Sequence, residues 1–414
     1  MNIIVVGGSL AGLFVGLSLK RLGHYVHILE RNSLPLFQGN GAGIFAGEET
    51  RLFMKKFDRS ERDLTISPTF LHYLDVYGNE IHRENTDHQA TSWDLLYHIL
   101  RANFDGIKNA YCQLPDDTGE KVAYDYDANV TNMEVDDDSV TIFYEQKNEK
   151  KSIKGDILIA ADGASSRIRT LIDLTIERNY VGYVVWRGTV PESDISESLT
   201  STFIDGVTFF HASGIQFACY TIPGQNGALD QGLRLINWVW YCNYADPSEI
   251  LTDCHGRKHH WTVPRGKVAH KVWEDLKQYA NSNLPPQFIE LVNATQVPFV
   301  QAVSDVLATQ ACYYNGRVVL VGDALAGFRP HTASATSQAA FHGLQLWDKM
   351  QSWSDWLKNR SSYEEIVMKF ARQGVEHGQK LGHASQFEDY EVGGKIKMGY
   401  MTTNEDRSVS EGSE

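Results

Sequence analysis

The first thirty residues constrain the fold more than any other segment of the chain. Residues 2 to 30 read NIIVVGGSLAGLFVGLSLKRLGHYVHILE. Two short, continuous apolar runs at 3–6 and 26–29 predict strands buried on both faces of a parallel sheet, with a helix at 11–22 between them. The sequence therefore predicts an α/β protein with a Rossmann-like N-terminal unit.

A glycine-rich turn joins the first predicted strand to the helix and indicates a dinucleotide site. The turn has G-x-G-x-x-G spacing with Ser9 at the middle glycine position, and Glu30 follows the second strand, 18 positions after Gly12. Such a turn brings backbone N–H groups and a helix N-terminus against a pyrophosphate, and the acid hydrogen-bonds a ribose. The pattern does not distinguish NAD from FAD. The residues assigned to this site are Gly7, Gly8, Ser9, Leu10, Ala11, Gly12, Glu30 and Arg31.

Two more acids follow apolar strands much later in the chain. The segment GDILIAADGASSRIR predicts a strand at 157–161 that ends at Asp162. A second apolar run at 318–321 ends at Gly322 and Asp323. The chain thus carries three strand-and-turn motifs, each with an acid, in a fixed order.

These three motifs in this order resemble the group A FAD-dependent aromatic hydroxylases, a family with the p-hydroxybenzoate hydroxylase fold. The segments YVVWRG, NWVWY, RPHTA and SWDLLY most resemble the branch of 2,6-dihydroxypyridine 3-hydroxylase. The resemblance covers nearly the whole chain. It implies a Rossmann-like FAD-binding domain, an inserted antiparallel-sheet substrate domain and a C-terminal helical segment.

The domain boundaries follow from the resemblance and from a change in character near Tyr183, where alternating aromatic stretches predict an antiparallel sheet. The expected parts are the FAD-binding domain at 1–180 with a small substrate-domain excursion near 65–90, the substrate domain at 181–305, a return to the FAD-binding domain at 306–345, C-terminal helices at 346–400 and a disordered tail at 401–414.

The resemblance also gives the segment after the third motif a role. Asp323 is expected to accept hydrogen bonds from the ribityl hydroxyls of FAD, and Pro330 to turn the chain past the flavin edge. A helix beginning near Ala333 directs its positive N-terminal end at the flavin pyrimidine ring, where negative charge develops on reduction. The remaining residues assigned to non-covalently bound FAD are Gly43, Asp162, Gly322 and Ala335.

Three positions depart from the family pattern. Ala335 replaces a glycine that is usual in the turn before the helix, and Asn40 lies where a basic residue often contacts the cofactor. Trp93 replaces the arginine that is usual at the start of its helix. These changes put individual contacts in doubt, and FAD binding is still expected.

The candidate acid–base residues are His331, His211 and Tyr220, because a histidine pKa of ~6.5 suits proton removal from a substrate hydroxyl at neutral pH. Most aromatic side chains of the sheet are expected to be ordinary core, since strand residues alternate faces. The candidate substrate-binding residues are Phe210, Phe217, Trp238 and Pro330.

The reaction implied by the resemblance has two halves. NAD(P)H binds transiently and reduces FAD, and O2 then forms a flavin C4a-hydroperoxide that transfers OH to an electron-rich, hydroxypyridine- or phenol-like ring. One alternative is a flavin-dependent halogenase, although NWVWYC lacks the Ile-Pro of the W-x-W-x-I-P motif. The others are an FAD-dependent reductase without oxygen insertion and a catalytically silent FAD-binding protein.

Composition limits the partners and the compartment. A net charge of −14 argues against nucleic acid or an anionic membrane surface. No apolar run approaches the ~18 residues that a membrane span needs, and the N-terminus lacks a signal-peptide pattern. The five widely spaced cysteines show no metal or disulfide pattern. We therefore expect a cytoplasmic protein that binds a small aromatic substrate and O2, holds no metal and is a possible homodimer.

Overall fold

The computed structural model describes residues 1–37, 42–114, 122–389 and 392. Asn40 and the predicted disordered tail lie outside these residues. The helices are α1 (Leu10–Arg21), α2 (Glu48–Phe57), α3 (Trp93–Asp105), α4 (Arg167–Ile172), α5 (Glu197–Phe203), α6 (His270–Asn283), α7 (Pro286–Ala294), α8 (Ala335–Lys349) and α9 (Trp353–Phe387). The strands are β1 (Asn2–Val6), β2 (Tyr25–Leu29), β3 (Gly43–Phe45), β4 (Phe70–Leu74), β5 (Glu80–Asn85), β6 (Ala90–Ser92), β7 (Val122–Asp125), β8 (Ala128–Val135), β9 (Val140–Gln146), β10 (Glu149–Gly155), β11 (Ile157–Ala160), β12 (Asn179–Pro191), β13 (Gly206–Ala212), β14 (Ile215–Ile222), β15 (Leu235–Asn243), β16 (Thr262–Val263), β17 (Phe299–Leu307), β18 (Cys312–Tyr313), β19 (Val318–Leu320) and β20 (Ala326–Gly327).

The first sheet has the strand order β18-β19-β11-β1-β2-β7. β1 pairs in parallel with β2 and with β11, and β19 runs parallel to β11. The carboxyl ends of parallel strands meet at one edge of a sheet, so the turns after β1, β11 and β19 lie close together. They do so although β11 and β19 are far apart in the chain: β11 ends at residue 160 and β19 begins at residue 318. The order reverses beside β1, which is where open α/β sheets bind ligands.

The second large sheet is mostly antiparallel and has the order β16-β17-β12-β15-β14-β13-β4-β5, with β20 paired to β17. β4 and β5 precede most of the first sheet in the chain, yet β4 pairs in parallel with β13. One face of this sheet packs against α6 and α7. The opposite face is therefore the one available to form a site with the FAD-binding domain.

Helix α9 connects α8 to the second sheet, because it contacts α8 as well as β14, β17 and β20. Two glycines permit this close approach. A Cβ at Gly374 would lie 2.1 Å from the Phe328 ring, and a Cβ at Gly382 would lie 2.3 Å from the Tyr183 hydroxyl. Larger side chains at these positions would push the helix away from the site described below.

Two kinds of feature are missing from the described part of the chain. None of its helices is long and apolar enough to cross a membrane. The same residues contain no cluster of three or more His, Cys, Asp or Glu side chains that could hold a metal ion.

Candidate active site

The turn after β1 requires glycine for steric reasons. Gly7 has φ +102°, and a Cβ there would lie 2.3 Å from the Ala161 carbonyl oxygen. A Cβ at Gly12 would lie 1.9 Å from the Gly7 carbonyl oxygen. Ser9, the N-cap of α1, has φ −83°, which any residue adopts. Replacing the middle glycine by serine therefore leaves the turn intact, and the first N–H groups of α1 have no acceptor within the helix.

Glu30 fixes this turn through its side chain. Its Oε2 accepts a hydrogen bond from the Gly8 N–H at 2.7 Å, and its Oε1 accepts from the Asn32 N–H at 2.8 Å. The Tyr124 hydroxyl donates to the Gly8 carbonyl oxygen at 3.0 Å. Glu30 is buried among protein atoms, and its remaining lone pairs can accept hydrogen bonds from a ribose.

A cleft of about 900 Å³ opens beside the turn. The predicted FAD residues that line it are Gly7, Ser9, Glu30, Arg31 and Asp162. The predicted residues that lie in the turn or helix without reaching the lining are Gly8, Leu10, Ala11 and Gly12. Trp93, the departure from the family pattern, lines the cleft and stacks on Tyr97 with ring centroids 4.8 Å apart.

Asp162, at the end of β11, caps α4. Its carboxylate accepts hydrogen bonds from the Ser166 hydroxyl and from the N–H groups of Arg167 and Ile168, at 2.5 to 3.1 Å. Burial raises its pKa above the ordinary aspartate value. The side chain of Arg169, in the same helix, donates to the Ala324 carbonyl oxygen at 2.8 Å. The second and third motifs are thus joined by a buried hydrogen bond.

Gly322 and Asp323 form the turn after β19. Gly322 has φ +56°, and a Cβ there would lie 2.7 Å from the Ala11 Cβ, so this turn packs on the start of α1. The Gly322 N–H donates to His342 Nδ1 at 2.9 Å. Burial raises the pKa of Asp323 to about 6, although two arginine side chains oppose the shift. Within the described residues, its carboxylate accepts no hydrogen bond.

These features fit FAD. The glycine turn leaves backbone donors for phosphate, and the half-buried carboxylate of Asp323 can accept hydrogen bonds from hydroxyl groups of a ligand. Asp323 belongs to neither cavity lining and lies on the turn that packs against Ala11. The predicted FAD residues at the ends of β1, β11 and β19 therefore lie at the same edge of the first sheet, whereas Gly43 and Ala335 lie elsewhere.

A second cavity, of about 150 Å³, lies against the free face of the antiparallel sheet. Its lining is mainly apolar or aromatic and comes from β3, β4, β12 to β15 and the start of α8. Among the predicted residues, Gly43, Tyr220, Pro330, His331 and Ala335 line it. The structure thus places Gly43, predicted at the cofactor, in the wall of this cavity, where its N–H donates to Asn237 Oδ1 at 2.7 Å.

The start of α8 closes this cavity. Pro330 begins a short 3-10 turn, and Ala333 has the left-handed φ of +52° that favours glycine. The helix itself begins at Ala335, two residues later than the sequence predicted. Because Ala335 is already helical, its methyl group costs nothing in backbone strain. The unusual backbone instead lies at Ala333, which lines the cavity.

His331 is held on three sides. It stacks on Tyr241 with ring centroids 3.9 Å apart, its Nδ1 lies 2.6 Å from Gln216 Oε1, and its Nε2 lies 3.1 Å from the Tyr183 hydroxyl. An amide oxygen only accepts, so Nδ1 carries the proton and Nε2 accepts from Tyr183. Burial lowers the pKa of His331 well below the ordinary value. The ring is therefore a neutral, oriented group.

The other two acid–base candidates differ in position. Tyr220 lines the cavity and packs on Phe45 with ring centroids 4.3 Å apart, and burial raises its pKa above the usual tyrosine range. His211, on β13, lies on the same face of the sheet as the cavity residue Phe209. It is outside the cavity lining and packs against Tyr73 and Phe209. Burial lowers the pKa of His211 to about 3. Neither side chain is poised to exchange a proton near neutral pH.

The structure places three of the predicted substrate-binding residues away from the cavity. Phe210, Phe217 and Trp238 lie on the far face of the sheet, where they belong to the core that α6 and α7 cover. The Phe217 ring centroid is 4.5 Å from that of Phe288, and Trp238 Nε1 donates to Thr295 Oγ1 at 2.9 Å. Strand residues alternate faces, and the cavity takes the opposite set: Phe209, Ala218, Tyr220, Val239 and Tyr241.

Arg187, on β12, is the cavity residue that sequence reasoning missed. It lines the cavity, its charge acts on Tyr220 and Tyr241, and its buried Nε has no hydrogen-bond partner within the described residues. A signal was present, because VVWRGTV places an arginine in the middle of an apolar strand. His88, from the excursion between β5 and β6, also lines the cavity, and burial lowers its pKa.

The fold and the two adjoining cavities can be compared with those of known proteins. Residues 180–305 match the family described as FAD binding domain-like. The chain resembles FAD-dependent monooxygenases of the aromatic hydroxylase class. It is similar to 2,6-dihydroxypyridine 3-monooxygenase of Paenarthrobacter nicotinovorans, with 28% identity over 392 residues that cover 91% of this chain and 92% of that enzyme.

Solved structures show the same fold. The 2,6-dihydroxypyridine-3-hydroxylase of Arthrobacter nicotinovorans aligns with a TM-score of 0.83 and 24% identity, over 97% of this chain and 96% of that one. A salicylate hydroxylase substrate complex aligns with a TM-score of 0.69 and 13% identity, over 96% and 91%. The predicted resemblance, fold class and FAD cofactor are therefore confirmed.

Proposed function

We propose that this protein hydroxylates a small, electron-rich aromatic or N-heteroaromatic ring of the hydroxypyridine or phenol type, which binds as an anion beside Arg187. The observation that carries the proposal is the charge and size of the second cavity. Its described lining includes Arg187 and contains no carboxylate, and its volume is about 150 Å³. A cavity of about 150 Å³ accepts one benzene ring.

The cavity favours an anion because, within the described residues, one of its two arginine side chains is paired with a carboxylate and the other is not. Arg329 forms a two-pronged ion pair with Asp305, at 2.7 and 2.6 Å. Arg187 has an unpartnered Nε and faces neutral rings. A guanidinium within ~4–6 Å of a phenolic hydroxyl lowers the pKa of that hydroxyl. The bound ring then carries the negative charge that an electrophilic oxygen donor requires of its target.

This arrangement assigns a different role to His331 from the base predicted by sequence. Its Nε2 accepts from Tyr183, and burial keeps the ring neutral. We assign His331 to holding the substrate ring in place, and Tyr220 to packing against it. Arg187 takes over the stabilisation of the deprotonated hydroxyl, which needs no histidine that titrates near pH 7.

When bound, FAD supplies the oxygen activation that the resemblance predicts, with NAD(P)H as reductant and O2 as oxidant. The chain supplies the rest. The apolar walls exclude water, Arg187 supplies the counter-charge, and the N-terminus of α8 faces the same cavity with its unpaired N–H groups.

The test is a panel of hydroxypyridines, hydroxybenzoates and neutral, non-ionisable aromatics, scored for hydroxylated product as well as NAD(P)H loss. Arg187→Met should lower kcat/KM for the ionisable substrates at least about a hundredfold, because two charge-assisted hydrogen bonds of ~1.5–3 kcal/mol each are at stake. Arg257→Met, at an exposed arginine of the same domain, is the matched control.

The pH profile separates this role from a structural one. In Arg187→Met the acid limb of kcat should move to higher pH, since the bound hydroxyl loses its cation and kcat reports the pKa values of the enzyme–substrate complex. NAD(P)H consumption without product from any aromatic compound would instead indicate a reductase. Bound FAD with no substrate-stimulated consumption would indicate a silent flavoprotein.

A further inference from the structure

One wall of the FAD cleft belongs to the substrate domain. Thr262, Pro264, Arg265 and Phe299 form it, and the turns after β1 and β11 line the same cleft. The wall is anchored in the antiparallel sheet, because β16 pairs with β17. A ligand that fills the cleft therefore touches both domains.

Arg265 lies at the apex of a tight turn in this wall. The Lys267 N–H donates to the Pro264 carbonyl oxygen at 3.1 Å, and Gly266 has the φ of +69° that the third residue of a type II turn requires. The Arg265 Nη2 donates to Thr189 Oγ1, on β12, at 3.2 Å. The turn and this hydrogen bond together hold a half-buried guanidinium at the cleft wall.

The charges in the cleft favour an anionic ligand. Within the described lining the cations are Arg31, Arg167 and Arg265, and the carboxylates are Glu30 and Asp162. Both carboxylates already accept hydrogen bonds from backbone N–H groups. Among the three cations, Arg265 is the one that the substrate domain supplies.

The acid that acts on Arg265 is Asp94, in the first turn of α3. Its charge opposes the effect of burial, which lowers the pKa of the Arg265 guanidinium. An arginine retains its proton at neutral pH under such a shift. Arg265 thus keeps its positive charge in the cleft, opposite the glycine turn.

We propose that Arg265 binds the diphosphate of a dinucleotide, on the side opposite Ser9 and the N-terminus of α1. The first N–H groups of α1 contact one side of the diphosphate, and the Arg265 guanidinium offers its positive charge to the other. FAD and the nicotinamide reductant both carry this group. If the bound dinucleotide is FAD, the inference rests on the cofactor alone. If it is the nicotinamide reductant, the inference rests on the proposed function.

A direct consequence is that the substrate domain helps to retain the cofactor. Release of the dinucleotide then breaks the contact with Arg265, which belongs to the substrate domain. The contact is electrostatic, so its contribution must weaken as salt concentration rises.

The experiment compares Arg265→Met with Arg257→Met, which removes the same charge from an exposed position of the same domain. FAD is removed and titrated back without substrate, at low and high salt, and the dissociation constant is read from flavin fluorescence. Reduction of bound flavin by NADH and by NADPH is then followed by stopped flow. Thermal unfolding of the FAD-free variants reports whether each one folds.

A rise in the FAD dissociation constant of about tenfold or more in Arg265→Met, with a shallower salt dependence, places the FAD diphosphate against Arg265. Unchanged FAD binding with a weaker apparent affinity for the reductant places the reductant diphosphate there. If FAD and reductant affinities of both variants agree within about twofold, the proposal is wrong. FAD titration needs no hydroxylation, so failure of the proposed function would leave the FAD result readable.

Discussion

The cleft proposed for FAD and the cavity proposed for the substrate lie side by side, and the proposed sites would recognise their ligands by different means. The cleft depends on backbone: Gly7 and Gly12 permit a turn that leaves N–H groups for a phosphate. The cavity depends on which side chains face inward from strands, and its charge comes from Arg187. A backbone site needs a short local pattern, whereas a side-chain site needs the register of the whole sheet.

The largest expected effect tests the backbone site. In Gly12→Ala the new Cβ would lie 1.9 Å from the Gly7 carbonyl oxygen, so the turn or the helix must move. We expect FAD affinity to fall by about a thousandfold or more, since several donors lose their geometry together. Flavin titration measures this, with Ser9→Gly as the control in the same turn. Near-normal FAD affinity in Gly12→Ala would mean that the cleft does not depend on this backbone turn, and the contrast between the cleft and the cavity would be wrong.

The next effect tests which face of the sheet forms the cavity. Phe217→Ala leaves a hole in the far-face core and should lower the free energy of unfolding by about 3–5 kcal/mol, with little change in KM for the aromatic substrate. Phe209→Ala, on the cavity face, should raise KM and cost less stability. Urea unfolding and steady-state kinetics on both variants give the answer. The reverse outcome would mean that the assigned faces are exchanged.

A smaller effect concerns Asp323, whose pKa of about 6 is raised by burial. In Asp323→Asn we expect FAD affinity at pH 7.5 to fall about tenfold, because charge-assisted hydrogen bonds to the ribityl hydroxyls weaken. In the native protein, affinity should decline as pH falls through about 6, and the variant should show a flat profile. Titrations between pH 5 and pH 8 test both statements.

Stability of the FAD-free protein should show the opposite pH trend. A raised carboxylate pKa means that the folded state binds more protons than the unfolded state, so Asp323 contributes stability as pH falls through about 6 and loses it as pH rises. FAD-free Asp323→Asn should therefore unfold at higher urea concentration than the native protein at pH 7.5, with the difference closing near pH 4. If the urea midpoints of the two proteins differed equally at pH 7.5 and near pH 4, burial of Asp323 would not be the origin of its raised pKa.

The smallest effect concerns the strained backbone at the cavity. Ala333 has φ +52°, so Ala333→Gly should stabilise the protein by about 0.5–1 kcal/mol, the relief of strain being partly offset by chain entropy. Thermal unfolding would show a rise of about 1–3 °C. Ala335→Gly, at a helical position, should be destabilising instead. A fall in both variants would indicate that the left-handed residue is not a source of strain.

Sequence reasoning was accurate where structure is local. The strands predicted at 157–161 and 318–321 end one residue earlier in the structure, at Ala160 and Leu320, and the turns follow as expected. A glycine turn or a strand-end acid is visible within a few residues, because the physics that requires it acts over that distance.

The structure places Phe210, Phe217 and Trp238 away from the cavity for an equally physical reason. Alternation shows that Phe209 and Phe210 point to opposite faces, but it does not show which face the FAD-binding domain covers. That choice depends on α6 and α7, which follow β16 and pack against one side. The sequence shows Arg187 as an unusual residue in a buried strand. Its neighbours in the cavity became apparent only with the pairing of β12 to β15.

The order of strands in the parallel sheet has a consequence for biosynthesis. β11 is complete at residue 160, but its outer neighbour β19 begins at residue 318. At a synthesis rate of ~5–20 residues per second, the ribosome needs roughly 10–30 s to make the chain between them. During that interval an apolar strand presents an unpaired edge, the kind of surface that promotes aggregation and attracts chaperones. The nascent chain therefore exposes this edge of β11 until β19 emerges.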